Sequence, residues 1–301
     1  MPEQDQTLRF EGVIEPAPPR VTALIVSYNS AEALRRCIQA LRGSQARDQF
    51  EILVVDLGSR DESARMDSEF DDVTMLRLPK HFGATKAMNI ATRTAMGDYI
   101  FYLDPQVELR PDALGKLMRR LDEDDEASAV VPLLEDPASG KAVPQVYPLP
   151  TRATLVEACS TGKMTISAVR LDEDAVPVEY ASRSAIMVRK VFVQGMNYFD
   201  ERYGHFWADA ELAYQIRKSS KKILVLTGAK ALWHPLPAQV SKKLDADRWL
   251  GASAYLSKHE GFFAGLGFML SGALKALITF NFGLLIPLVS QQRIDGNQGP
   301  L

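Results

Sequence analysis

The first regular segment of this chain is Val21-Thr-Ala-Leu-Ile-Val26, which is followed by Ser27-Tyr28-Asn29. The segment is an unbroken run of apolar and β-branched residues that stops at polar ones. Such a run predicts a strand buried on both faces, as in a parallel sheet. Residues 30–41 then space their apolar side chains at helical intervals. A buried strand followed by an amphipathic helix is typical of an α/β fold.

The same alternation of strand and helix continues along the chain. Apolar runs predict further strands at residues 51–55, 74–78, 99–103, 184–188 and 222–226. Helical spacing predicts helices at residues 85–95, 111–121 and 208–218. Between 130 and 183 the prolines indicate only loops and short strands. The pattern therefore predicts an α/β protein with a mostly parallel, doubly wound sheet and right-handed crossovers.

Polar residues follow the ends of three predicted strands. They are Tyr28, Asn29, Asp56 and Asp104. In open α/β sheets, ligands bind beyond the carboxyl ends of the strands. We therefore expect these side chains to form part of one site.

Composition excludes several classes of protein. With 35 Lys and Arg against 38 Asp and Glu, the net charge is −3, which argues against a general nucleic-acid binder. Two cysteines, Cys37 and Cys159, give neither a disulfide framework nor zinc-ligand spacing, and favour a reducing compartment. Residues 1–20 are polar and proline-bearing, without a basic start and apolar run, which predicts a flexible arm rather than a secretory signal.

Six short motifs, in order, resemble those of the inverting family 2 glycosyltransferases of the GT-A fold, near the rhamnosyl- and galactofuranosyltransferase branch. The motifs are Val26-Ser-Tyr-Asn29, Val54-Val-Asp56-Leu-Gly-Ser59-Arg-Asp61, His81-Phe-Gly83-Ala-Thr-Lys86-Ala-Met-Asn89, Gly97-Asp98 through Asp104-Pro-Gln106, Phe199-Asp-Glu201 through Asp209-Ala-Glu211-Leu, and Trp233-His234. The resemblance covers about residues 21–235. It implies a glycosyltransferase domain at 21–240, with a nucleotide half at 21–110 and an acceptor half at 111–240.

The resemblance implies which residues hold the nucleotide-sugar donor. A buried carboxylate at Asp56 would accept hydrogen bonds from a pyrimidine N–H or a ribose hydroxyl, although aspartate at a strand end also suits a turn. Lys86 would approach the phosphates, or be a solvated helix lysine, and Asn89 would bind the donor or only tie its helix to a loop. The full expected donor set is Ser27, Tyr28, Asn29, Asp56, Ser59, Gly83, Lys86, Asn89, Asp104 and Gln106.

A divalent cation, Mn²⁺ or Mg²⁺, is the cofactor that the resemblance implies, with Asp104 and His234 as its expected ligands. Oxygen ligands suit both ions, and imidazole suits Mn²⁺ better. The family usually has a second carboxylate where this chain has the neutral Gln106. This departure leaves open whether metal binds strongly, only with nucleotide, or not at all. His234, which precedes a proline, could also be structural.

Asp209 is the expected catalytic base, which would take the proton of the attacking acceptor hydroxyl. The alternative is a helix cap. Glu211, two positions on, diverges from Asp209 by about 200° on a helix, so we expect it to contact the acceptor or support the site rather than share the substrate. Trp207 is expected to stack on an acceptor sugar or to pack in the core. Ala208 stands where the family has a glutamate.

Residues 241–301 are expected to form a C-terminal helical segment. Its stretch 261–289 is almost wholly apolar, interrupted by Lys275 and Asn281. Two helices lying in a membrane surface fit this pattern better than one span, with Lys242, Lys243 and other basic residues just upstream to meet anionic headgroups. Burial in the core and an oligomer contact are the alternatives.

The resemblance implies an inverting glycosyltransferase of cell-surface polysaccharide biosynthesis. Its expected partners are a nucleotide-sugar donor and a glycan or lipid-linked glycan acceptor, with no nucleic acid. Its expected location is the cytoplasm, at the inner face of the membrane, and a homo-oligomer is left open. A degenerate, non-catalytic nucleotide- or partner-binding protein is the alternative that Gln106 and Ala208 favour. A nicotinamide-dependent oxidoreductase is disfavoured because no G-x-G-x-x-G follows the first strand.

Overall fold

A computed structural model describes residues 17–235 and 242–291 of the 301-residue chain. Residues 1–16 of the predicted arm and the side chains of Lys242 and Lys243 lie outside this description. Arg20, the last residue of the predicted arm, is held in place. Its guanidinium donates to the carboxylate of Asp122 at 2.7 Å, and its backbone N–H donates to the carbonyl of Gln49 at 2.8 Å.

The first half of the chain forms a parallel sheet, as predicted. Its strands are β1 (Val21–Ser27), β2 (Phe50–Asp56), β3 (Val73–Arg77) and β4 (Tyr99–Leu103), paired in the order β3-β2-β1-β4. Helices α1 (Ala31–Arg42) and α2 (Ala84–Thr94) bury their apolar stripes against it. Ser27 lies opposite Asp56 in the β1–β2 register, so the polar residues that follow both strands emerge together.

The second half adds strands of both directions. They are β5 (Val107–Leu109), β6 (Ala127–Glu135), β7 (Val146–Tyr147), β8 (Ala175–Val178), β9 (Tyr180–Ala181), β10 (Ala185–Arg189) and β11 (Lys222–Trp233). The large sheet continues from β4 in the order β10-β6-β11-β5, with β8 also on β11, and β7 and β9 form a separate two-stranded sheet. Because β10 runs antiparallel to β4, with Ala185 opposite Leu103, its beginning lies at the edge where β4 ends.

Four further helices cover this half. They are α3 (Ala113–Glu123), α4 (Arg152–Thr161), α5 (Lys190–Gly195) and α6 (Ala208–Lys218). The prediction that residues 130–183 form only loops and short strands is wrong in two places. Residues 130–135 belong to the long strand β6, which is buried almost throughout, and residues 152–161 form α4. Pro132 explains the first error. Proline has no N–H for the ladder, and the register with β11 shifts directly after the Leu226–Pro132 pair.

The C-terminal apolar stretch forms two helices that pack on a third. Helix α7 (Lys242–His259) is followed by α8 (Phe262–Ile278) and α9 (Phe282–Ser290). Trp249 of α7 packs against Phe268 of α8 with ring centroids 5.0 Å apart, and a Cβ on Gly272 would lie 2.6 Å from the Trp249 ring. In residues 17–235 and 242–291, no helix combines the length and apolar character needed to cross a membrane.

Candidate active site

Two adjoining cavities lie at the edge where β1, β2 and β4 end. The first, of about 210 Å³, is lined among others by Tyr28, Asn29, Leu57, His81 and Gln106. The second, of about 230 Å³, is lined among others by Tyr180, Trp207, Asp209 and Arg248. Asp104, Arg183 and His205 line both cavities. A larger, more open depression of about 760 Å³ lies at the other edge of the sheet and contains none of the predicted site residues.

The loop after β2 is tied tightly to the loop after β1. The backbone N–H of Asn29 donates to the Ser59 hydroxyl at 2.9 Å, and the Asn29 side-chain carbonyl accepts from the Arg60 N–H at 2.9 Å. Asn29 has a φ of 44°, a left-handed conformation that asparagine tolerates better than most residues. Asn29 and Ser59 therefore shape the wall of the first cavity through contacts to each other's loops.

Asp56 has one satisfied and one unsatisfied carboxylate oxygen. Its Oδ2 accepts the N–H groups of Gly58 and Ser59, each at 3.0 Å, whereas its Oδ1 is buried without a hydrogen-bond partner among residues 17–235 and 242–291. The side chain is 2% exposed. A buried acceptor without a partner is energetically unfavourable, so this oxygen is suited to a donor supplied by a ligand.

Four other residues that were expected to bind the donor mainly contact the protein itself. Asn89 is buried and exchanges two hydrogen bonds with the backbone of Phe199, at 2.8 and 3.0 Å. It therefore ties α2 to a loop, which is the second of the two roles expected for it. The Ser27 hydroxyl lies 2.9 Å from that of Ser30. Gly83 precedes α2 at a φ of 91°. Lys86 lies over the Phe82 ring at 5.0 Å and lines neither cavity.

The expected metal ligands do not form a metal site as they are arranged. Asp104 lines both cavities, and its carboxylate makes no hydrogen bond or ion pair within the described chain. The Nε2 of His234, however, lies 2.8 Å from Glu108, and His234 lines neither cavity. Gln106 lines the first cavity but carries no charge. Over the described ranges, no cluster of three or more His, Cys, Asp or Glu could hold a metal ion.

Asp209 lies in the second cavity, at the start of α6. Its Oδ2 accepts the backbone N–H of Arg183 at 3.2 Å, which fixes the carboxylate without neutralising it. Burial raises the pKa of Asp209, while the charge of Arg183 and a hydrogen bond from Tyr180 offset part of this shift. A carboxylate whose proton affinity is raised in this way is suited to act as a general base.

Trp207 and Glu211 differ in their relation to the second cavity. Trp207 lines it but is only 4% exposed, and its indole N–H donates to the carbonyl of Arg248 at 2.9 Å, so most of this ring belongs to the core. Glu211 is completely buried and faces α7 instead. The predicted acceptor contact of Glu211 is therefore wrong, because its carboxylate is enclosed by protein side chains.

Four side chains surround the Glu211 carboxylate. Its hydrogen-bond partners are the Tyr203 hydroxyl at 2.7 Å, the Gln215 amide at 2.7 Å, the Lys258 ammonium at 2.8 Å and the His259 Nε2 at 2.6 Å. Burial alone would raise the pKa of Glu211, but these four partners together lower it to about 2. This network connects α6 with α7 and therefore holds the C-terminal helices against α6.

Arg183 and His205 are the site residues that sequence reasoning missed. Burial lowers the pKa of His205 to about 3, so its imidazole is neutral at neutral pH, and its Nδ1 is buried with no partner among the described residues. Arg183 directly precedes Ser184 and β10, at the beginning of a strand. The rule that site residues follow the ends of parallel strands does not apply to Arg183. It precedes a strand, and the beginning of that strand lies at this edge because β10 is antiparallel to β4.

Part of the chain is similar in sequence to known glycosyltransferases. Residues 22–163 match the sequence profile of the family described as Glycosyl transferase family 2. The chain is 29% identical over 115 residues to an undecaprenyl-phosphate 4-deoxy-4-formamido-L-arabinose transferase of Klebsiella pneumoniae, covering 36% of this chain and 35% of that one. It is 31% identical over 106 residues to the succinoglycan biosynthesis protein ExoO of Rhizobium meliloti, covering 35% and 30%. The match thus spans about a third of the length of these curated relatives.

Solved structures share the fold at low sequence identity. The structure of GalNAc-T7 with UDP, GalNAc and Mn²⁺ superposes with a TM-score of 0.60 at 14% identity, covering 82% of this chain and 52% of that one. Residues 1–349 of Staphylococcus aureus TarS superpose with a TM-score of 0.54 at 18% identity, covering 90% and 81%. The predicted α/β class is confirmed, and the fold is that of the GT-A glycosyltransferases.

Proposed function

We propose that this chain, whose residues 22–163 match the Glycosyl transferase family 2 profile, is an inverting glycosyltransferase. It would move one sugar from a nucleotide-sugar donor to a glycan or lipid-linked glycan in polysaccharide biosynthesis. The observation that carries the proposal is the pair of cavities that meet at Asp104, Arg183 and His205. The loops that follow β1 and β2 bound the first cavity, with the unsatisfied Asp56 directly behind its lining residue Leu57, and Asp209 lines the second cavity.

The proposed reaction is a single in-line displacement. The nucleoside part of the donor occupies the first cavity and the acceptor occupies the second. An acceptor hydroxyl attacks the anomeric carbon as the bond from that carbon to the diphosphate breaks, and Asp209 takes the hydroxyl proton. Attack from the face opposite the leaving group inverts the anomeric centre. The branch that the motifs resemble leads us to propose a deoxyhexose such as rhamnose as the transferred sugar, to be tested with a panel of donors.

Replacing Asp56 should weaken nucleotide binding. In Asp56→Asn the carbonyl can still accept from Gly58 and Ser59, but an amide N–H₂ then replaces the buried acceptor oxygen. We expect the Kd of the best-bound nucleoside diphosphate to rise about tenfold or more, as for loss of a hydrogen bond to a charged group. Calorimetric titration measures this. Asp71→Asn, which changes an exposed aspartate that lines neither cavity, is the control, and equal affinity in both variants would contradict the assignment.

The C-terminal helices support the proposal of a lipid-linked acceptor. The side of α8 that packs on α7 contains Gly265 and Gly272, where an added Cβ would clash with α7. The large apolar side chains of α8 and α9 are exposed instead. They include Phe262, Phe263, Leu270, Leu274, Leu277, Ile278, Phe282, Ile286 and Val289, each at least 51% exposed. An apolar surface of this extent is suited to the interface of a membrane, where these helices would lie flat.

Binding to lipid vesicles tests this part of the proposal. We expect the purified protein to co-sediment with vesicles containing phosphatidylglycerol. In the triple variant Phe263→Ser, Leu274→Ser, Ile278→Ser, the partition coefficient should fall at least about tenfold below that of the wild type, because each exposed side chain contributes roughly 1 kcal/mol or more on burial. Val191→Ser removes an exposed apolar residue of α5, 71% exposed, and is the control. Equal binding by the triple variant and the wild type would contradict membrane contact through these helices.

The alternative function is a non-catalytic nucleotide-binding protein. It is favoured by Gln106 and Ala208, which stand where the resemblance implies acids, and by the pairing of His234 with Glu108 at 2.8 Å. Such a protein would bind a nucleotide in the first cavity without releasing it from a donor. Sugar transfer that depends on Asp209 distinguishes the two functions.

A further inference from the structure

We propose that Arg183 binds the diphosphate of the donor and supplies the positive charge that faces it. In the described chain, Asp104, Gln106 and His234 are not arranged as a metal site that could supply this charge. The inference rests on the proposed function, because it assigns a residue to the leaving group of that reaction. It implies that a nucleoside diphosphate binds to this chain without a divalent cation.

The position of Arg183 is the first observation. Arg183 lines both cavities, together with Asp104 and His205. With the nucleoside in the first cavity and the acceptor in the second, the bond between the sugar and the diphosphate lies at their junction. A cation at the junction therefore faces the group that gains negative charge during transfer.

The contacts of Arg183 are the second observation. Among the described residues, its guanidinium donates to the Met88 sulfur and to the His205 carbonyl, each at 3.5 Å. The contact to the carbonyl is longer than a good N–H···O hydrogen bond, and a thioether sulfur is a weak acceptor. Within residues 17–235 and 242–291, it forms no ion pair with a carboxylate within 4.0 Å, although its charge acts on the Asp209 carboxylate from a longer distance. Guanidinium is planar and permanently charged, and its fork of N–H groups matches two phosphate oxygens. The free donors of Arg183 thus fit a diphosphate.

The neighbouring cations are already occupied. The Arg248 guanidinium pairs with Asp245 at 3.2 Å and lies over the Phe206 ring at 4.6 Å. Lys86 lies over the Phe82 ring and lines neither cavity. Arg183 is thus the cation best placed for this role in the described chain.

The chemistry balances without an additional reactant. The acceptor oxygen forms its bond to the anomeric carbon as the bond from that carbon to the β-phosphate oxygen breaks. The electron pair of the broken bond moves to the β-phosphate oxygen, where Arg183 stabilises the added charge. The acceptor proton moves to Asp209, whose Oδ2 is already held by the Arg183 N–H at 3.2 Å. One residue would thereby position the base with its backbone and the leaving group with its side chain.

Calorimetric titrations in EDTA test the inference. UDP, dTDP, GDP and the matching nucleosides are titrated into the wild type and Arg183→Gln, and the best-bound pair is repeated with Mn²⁺. We expect one diphosphate to bind in EDTA and its affinity to fall about 10- to 100-fold in Arg183→Gln, while the affinity of the nucleoside stays within about twofold. Arg183→Lys keeps the charge and should recover part of the loss. Arg217→Gln, which removes an exposed arginine paired with Glu179 at 3.1 Å, is the matched control.

The possible outcomes separate this inference from the proposed function. A diphosphate that binds only with Mn²⁺, or equally well to the wild type and Arg183→Gln, overturns the role of Arg183 and leaves the proposed function standing. No binding of any nucleotide or nucleoside by the wild type, with or without Mn²⁺, overturns the proposed function itself. Unchanged nucleoside affinity in Arg183→Gln also shows that the variant is folded.

Discussion

Asp209→Asn should abolish sugar transfer, with a fall in kcat of at least about 100-fold, because general-base catalysis contributes roughly 10²–10⁴ in rate. The amide has the shape of the carboxylate, and its carbonyl can still accept the Arg183 N–H that now binds Oδ2 at 3.2 Å. It cannot take a proton from an acceptor hydroxyl. Steady-state kinetics measures kcat, and calorimetry should give a nucleotide Kd within about threefold of the wild-type value.

A control variant and the pH dependence of activity also test the assignment of Asp209 as the base. Asp71→Asn changes an exposed aspartate remote from the cavities and should keep wild-type kcat. Because the pKa of Asp209 is raised by burial, wild-type activity should fall with acidification at a higher pH than an ordinary aspartate would require. Wild-type turnover in Asp209→Asn would remove this residue from the base role.

Glu211→Ala should cause the largest loss of stability. The substitution leaves the Tyr203 hydroxyl buried without its acceptor, removes the counter-charge of Lys258 and breaks the hydrogen bond to His259. Removing one partner of a buried ion pair typically costs about 3–5 kcal/mol in free energy of unfolding. Urea unfolding measures the loss. Glu62→Ala breaks a surface pair with Arg35 in which the Glu62 side chain is 81% exposed, and should cost no more than about 1 kcal/mol.

The contribution of Glu211 should also depend on pH in a defined direction. Its pKa in the folded protein, about 2, lies below its ordinary value of 4.5, so the unfolded chain binds more protons between these values. The stabilisation is therefore complete above pH 4.5 and is lost as the pH falls towards 2. The stability difference between wild type and Glu211→Ala should shrink from pH 7 to pH 3. A difference that is independent of pH would contradict the ionised network.

The first half of the fold could be predicted from sequence because its signals are local. Val21–Ser27 and Tyr99–Leu103 are continuous apolar runs that end in polar residues, and a parallel sheet buries such runs on both faces. Residues 127–135 are just as buried but contain Pro132, which interrupts the pattern within the strand. The direction of β10 depends on its pairing with β4 and β6, which no local pattern specifies.

The site shows the same limit. Asp56 and Asp104 lie where strand ends predict them, because that rule needs only the sheet. Helical geometry alone shows that Asp209 and Glu211 point in different directions. It does not show the partners of Glu211 in α7, Lys258 and His259, which lie 47 and 48 positions away in sequence. Contacts of this range depend on packing between helices, which periodicity does not specify. The pairing of His234 with Glu108 was unpredictable for the same reason.

The most direct test of the account is nucleoside diphosphate release from a panel of UDP-, dTDP- and GDP-sugars, with polyprenyl-linked saccharides extracted from bacterial membranes as acceptors. Release by the wild type is compared with release by Asp209→Asn. The account predicts that one nucleotide class is released, that the sugar appears on the acceptor with its anomeric centre inverted, and that Asp209→Asn is at least about 100-fold slower. Equal release by both proteins, or nucleotide binding without any release, would contradict it.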